Sequence, residues 1–91
     1  MKKLTNLYYI EVTDTFGGDA NYAWVTRHII RANSQRGAIQ RFSKMSGINW
    51  HCVGNERYDS KSGATCLFID CIDNDEANDY ANDYKLQTNE I

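Results

Sequence analysis

Between residues 7 and 13 apolar and polar side chains alternate, with Tyr8, Ile10 and Val12 on one face and Leu7, Tyr9, Glu11 and Thr13 on the other, the two-residue period of a β-strand. Residues 14–21 then bring Asp14, Gly17, Gly18, Asp19 and Asn21 together, which suits a hairpin with a long tip. A second strand over 22–32 is rich in aromatic and β-branched residues. Ala23, Val25 and Ile29 share one side with Arg27 and Arg31, and Tyr22, Trp24, His28 and Ile30 share the other. Neither side is uniformly apolar, so the strand is half exposed or carries a bulge.

The period then changes. Asn33 or Ser34 can cap a helix whose apolar positions Ala38, Phe42 and Met45 follow at i, i+4 and i+7, with Gly47 placed to end it. Its outer face carries Arg36, Gln40 and Lys44, with Arg41 adjacent. Gly37 weakens the first turn and leaves room for close packing on a sheet. A third strand is expected over 48–53, a polar turn over 54–63, and a strongly apolar fourth strand over 65–72 with Leu67 and Ile69 inward.

The order is ββαββ, an α+β domain over residues 1–73 with a four-stranded antiparallel sheet and one helix on one face. The other face, rich in aromatics, is expected to pair with a second copy as a homodimer. Residues 74–91 form an acidic tail in which Ala77-Asn78-Asp79-Tyr80 is followed by Ala81-Asn82-Asp83-Tyr84. If helical, the tail places Asp75, Asp79 and Asp83 in one row and Tyr80 and Tyr84 in another. Its Asn and Asp content favours a short frayed helix or disorder.

A chain of 91 residues has room for one core. The net charge of −2 conceals a division. Residues 24–61 hold seven cations against two carboxylates, a net of +5, and residues 66–91 hold one cation against seven carboxylates, a net of −6. Such a division points to a charged partner or to mutual neutralisation. Leu4-Thr5-Asn6 after Met1-Lys2-Lys3 does not begin an apolar signal core, and no run approaches membrane-span length, so a cytoplasmic location without membrane contact is expected. Cys52, Cys66 and Cys71 are then reduced thiols in or near the core.

His51, Cys52, Cys66 and Cys71 are the donors from which a metal site could be built, but an odd separation along a strand sends Cys66 and Cys71 to opposite faces, so no metal or other cofactor is expected. His51 and Cys52 likewise point apart. The chain has no nucleophile elbow, paired carboxylates or phosphate loop, which disfavours an enzyme.

Two kinds of binding remain. Phe16, Tyr22 and Trp24 are candidate anchors for a protein partner, with Asp75, Asp79 and Asp83 steering encounter or imitating a row of phosphates. Alternatively Arg27, Arg31, Arg36, Arg41 and Lys44 contact nucleic acid, as in a small regulator using the helix and second strand. The motifs Asp14-Thr15-Phe16-Gly17-Gly18-Asp19-Ala20-Asn21-Tyr22-x-Trp24-Val25-x-Arg27, Arg36-Gly37-Ala38-Ile39 and Arg57-Tyr58-Asp59 resemble small proteins of unassigned activity carried by bacteriophages and mobile elements, over most of residues 8–69. The resemblance implies a bacterial host cell and an accessory protein that binds and inhibits a host defence or nucleic-acid-processing complex, of anti-CRISPR or anti-restriction type, with no catalytic residues to carry over.

Overall fold

The computed structural model describes residues 6–84 together with residues 88 and 89. Strands β1 (Asn6–Phe16) and β2 (Asp19–Ala32) lead into helix α1 (Gln35–Ser46). Strands β3 (Trp50–Cys52), β4 (Arg57–Ser60) and β5 (Thr65–Ile72), helix α2 (Asn74–Tyr84) and strand β6 (Thr88–Asn89) follow. The sheet runs β3-β4-β5-β1-β2-β6. Its first five strands are antiparallel neighbours, and β6 lies parallel to β2 beside Ile29 and Ile30.

The α+β class and the antiparallel sheet agree with the sequence pattern, while the number of elements differs. The expected polar turn over 54–63 contains β4, in which Arg57 and Asp59 alternate with Tyr58 and Ser60. The third strand is shorter than expected, and the tail over 74–84 is a helix. Residues 1–5, 85–87, 90 and 91, which include the end of the expected tail, lie outside the described residues.

β1 sits between β5 and β2 and is apolar on both sides. Tyr8, Ile10 and Val12 join Ile30, Ala32, Leu67 and Ile69 beneath α1, which contributes Ala38, Ile39 and Phe42. Ser34 caps α1 by accepting the Gly37 N–H at 3.0 Å, and Gly47 ends it in the left-handed region with φ 71°. Met45, expected on the inner face, is 38% exposed because the last turn reaches the edge of the buried region.

On the opposite face Leu7, Tyr9, Ile29 and Ile72 pack against Ala77, with Tyr80 and Ala81 beside them. The sheet is therefore covered on both sides, and much of the face expected to pair with another copy lies under α2. α2 forms despite its composition because its start is closed reciprocally. Asp73 Oδ1 accepts the Glu76 N–H at 2.8 Å, and the Asp73 N–H donates to Glu76 Oε1 at 3.4 Å. Tyr80 stacks on Tyr9 with ring centroids 4.1 Å apart, and Tyr84 lies under the Arg27 guanidinium at 4.1 Å.

Replacing Tyr80 by Ala removes the stack and is expected to lower unfolding free energy by about 1–2 kcal/mol. Asp79→Ala, on the solvent side, is expected to stay within about 0.5 kcal/mol. Urea melts of the two variants check this.

Candidate functional site

The β1–β2 hairpin turns at Gly17 and Gly18, with φ values of 63° and 88°. Two successive left-handed residues make a two-residue turn whose twist suits a hairpin, so the long tip expected from sequence is a tight turn with an irregularity behind it. Phe16 pairs with Asp19 and Thr15 with Ala20, and regular pairing resumes at Thr13 and Val25. Asp14 alone therefore faces the four residues 21–24 of β2.

Two polar side chains hold this bulge. Buried Thr13 donates its hydroxyl to the Trp24 carbonyl at 2.8 Å and accepts the Tyr22 N–H at 3.1 Å. Asp14 accepts Asn21 Nδ2 at 2.8 Å and the Ala23 N–H at 2.9 Å. The bond from Asn21, with help from the Ala23 N–H, holds the Asp14 carboxyl below its ordinary range. Tyr22 is thereby fixed at φ 58°, in a region that side-chain-bearing residues seldom enter.

The tip is also tied to the rest of the sheet. Arg57 Nη2 donates to the Gly18 carbonyl at 2.8 Å, and the Thr15 N–H donates to the Ala64 carbonyl at 3.1 Å. The consequence is a fixed projection that displays Phe16 at 80%, Tyr22 at 54% and Trp24 at 44% exposure.

Behind Trp24 an apolar pocket of about 300 Å³ opens between the sheet and the end of α1, lined by Val12, His28, Phe42, Met45 and Trp50. The His28 ring lies 4.8 Å from that of Phe42, and burial holds its pKa below the ordinary imidazole value. On the other side of α1 an open groove of about 1030 Å³ runs between the helix and strands β3 and β4. Arg36, Arg41 and Lys44 line it together with Asn49, Trp50 and Tyr58.

The five candidate nucleic-acid contacts are thus divided. Arg36, Arg41 and Lys44 share the groove, whereas Arg27 and Arg31, opposite Glu11 and Leu7 in register, lie on the α2 face. Arg27 is engaged there. Its Nε lies 3.6 Å from Glu11 Oε1, close enough for charge attraction and too long for a hydrogen bond, and its guanidinium covers Tyr84. The Tyr9 hydroxyl donates to the same Glu11 oxygen at 3.1 Å, and its pKa is raised first by burial and then by that carboxylate. Asp75, Asp79 and Asp83 are exposed on α2, away from the groove.

Trp50 and Tyr58 were absent from the sequence-based site. Their register, Trp50 opposite Ser60 and Cys52 opposite Tyr58, puts both on the α1 face. The signal that could have found Tyr58 was the alternation over 57–60. Of the thiols expected in or near the core, only Cys66 is buried, which pushes its pKa up, while Cys52 and Cys71 are exposed. Cys66 pairs with Thr13 and Cys71 with Tyr8, on opposite faces. Among the described residues no three His, Cys, Asp or Glu side chains are grouped to hold a metal ion, and no helix is long and apolar enough to cross a membrane.

No protein-family model, curated protein or solved structure matches the chain.

Asp14→Ala is expected to speed amide exchange at Tyr22 and Ala23 while leaving β5 amides unchanged, as read by NMR. The contribution of Asp14 is present above the unfolded carboxylate pKa and fades as pH falls through the lower folded value. His28 acts with a different balance. The unfolded chain gains a proton near pH ~6.5 that the folded ring resists, so this residue costs stability as pH falls below about 6.5. His28→Phe is expected to reduce the loss seen between urea melts at about pH 7 and about pH 5.

Proposed function

We propose that the protein is a non-enzymatic, phage-type accessory protein that binds and inhibits a host defence or nucleic-acid-processing complex in the bacterial cytoplasm. The observation that carries the reading is the display of Phe16, Tyr22 and Trp24 on a hairpin braced by Thr13, Asp14 and Arg57. Aromatic side chains supply much of the energy of protein interfaces, and anchors already held in place lose little freedom on binding. The pocket beside Trp24 extends the apolar surface. With Leu7, Tyr9, Ile29 and Ile72 packed under α2, the contact is assigned to the hairpin instead of that face. Asp75, Asp79 and Asp83 steer a basic partner through their field, an effect on association rate more than on affinity.

The phage setting rests on the motif resemblance, whereas the binding mode rests on the hairpin. Tagged protein incubated with host lysate is expected to retain a component of such a complex after nuclease treatment and at raised salt. Phe16→Ala combined with Trp24→Ala is expected to weaken that capture at least tenfold, since each anchor is worth about 2 kcal/mol. Capture unaffected by the double substitution, or abolished by nuclease, contradicts the proposal.

A further inference from the structure

The groove beside α1 has a chemistry that the hairpin does not use. We propose that it binds a single-stranded polynucleotide, with Arg36, Arg41 and Lys44 on the phosphates and Trp50 and Tyr58 against the bases. This site is independent of the hairpin and extends the reading above to a target that itself contains nucleic acid.

Three observations converge on this occupant. First, the cations follow one helix. Arg36 and Lys44 stand eight residues apart, about 12 Å along the axis, which spans about three phosphates of a stacked strand. Second, the opposite wall is aromatic. Trp50 is supported from behind by Phe42 at 6.0 Å between centroids, and its Nε1 donates to Ser46 Oγ at 3.3 Å. Tyr58 accepts Gln35 Nε2 at 3.3 Å through its hydroxyl. These contacts hold both rings in place at the groove wall. Cations on one side and rings on the other are what an unpaired strand needs, because its bases have free faces. A duplex keeps its bases stacked on each other and has no use for such a wall.

Third, the acidic row of α2 lies on the other side of the sheet from α1. The net charge of −2 is therefore a poor guide to the potential over the groove. Asn49 adds a side-chain amide that can bond to a base edge or a phosphate.

Fluorescence anisotropy with labelled oligo-dT of about twelve nucleotides tests the site on the full chain. Three neutralised phosphates give a log–log salt slope near −2, so affinity is expected to fall about 15-fold between about 50 and about 200 mM salt. Arg36→Ala, Arg41→Ala and Lys44→Ala together are expected to abolish binding with the circular dichroism spectrum retained, and the matching glutamine triple variant gives the same answer if the alanine set folds poorly. The chain contains two tryptophans, so Trp24→Phe leaves Trp50 as the only indole, and oligo-dT is expected to quench its fluorescence.

Absence of binding at low salt overturns the proposal, as does unchanged binding by the triple variants. A duplex of equal length that binds as tightly removes the single-strand assignment. Polyglutamate that competes as well as the oligonucleotide shows a site for acidic protein instead. Retained hairpin-dependent capture alongside any of these results leaves the protein-binding reading standing.

Discussion

Everything in this fold depends on β1 being buried from both sides. Tyr8, Ile10 and Val12 face one way and Leu7, Tyr9 and Thr13 the other, and all six are buried. A strand in the middle of a sheet has its backbone satisfied by its neighbours, here β5 and β2, so only its two faces remain to be covered. One helix can shield one face. The second face requires α2, whose aromatic side reaches Tyr9, and the chain consequently builds a helix, sheet and helix in layers.

The cover on the α1 side is incomplete for a geometric reason. Twelve helical residues extend about 18 Å, whereas the eleven residues of β1 extend about 36 Å. The hairpin end therefore runs beyond α1, and Trp24, Met45 and the neighbouring pocket are what the helix leaves uncovered. Across the helix, β3 and β4 at the sheet edge form the second wall of the basic groove. The acidic surface of α2 occupies the opposite layer. Cations beside aromatics along α1 and a row of carboxylates on the outer surface of α2 give the molecule two different sides, even with Arg27 and Arg31 beneath that helix, and both proposed contacts use the α1 side.

Much of this was legible in the residues. The alternation over 7–13, the two-face split of 22–32, the Ser34 and Gly47 caps of α1 and the apolar run over 65–72 each specify an element locally, and each is present. α2 was harder to read because Asn and Asp have poor helix propensity, and here tertiary docking of Ala77, Tyr80 and Ala81 outweighs it. The Asp73 and Glu76 capping pair was the available local signal. β4 was hidden by the Gly and Ser around it, and with it went Tyr58 and half of the groove. The hairpin bulge was foreshadowed by the mixed faces of β2, but its size follows from the side-chain bonds of Thr13 and Asp14, which no periodicity encodes. The exposure of Phe16, Tyr22 and Trp24 was foreshadowed by the turn residues that flank them. The separation of Arg27 from Arg36 was not, since it follows from the β2 register.

Native-state amide hydrogen exchange on the isolated chain tests the two-sided burial of β1 most directly. The account predicts that the β1 amides from Tyr8 to Val12 exchange slowest, near the global unfolding limit, and that the α2 amides from Tyr80 to Tyr84 are protected well beyond a free peptide of the same sequence. Exchange of those α2 amides at peptide rates, with β1 protection unaffected, would contradict it.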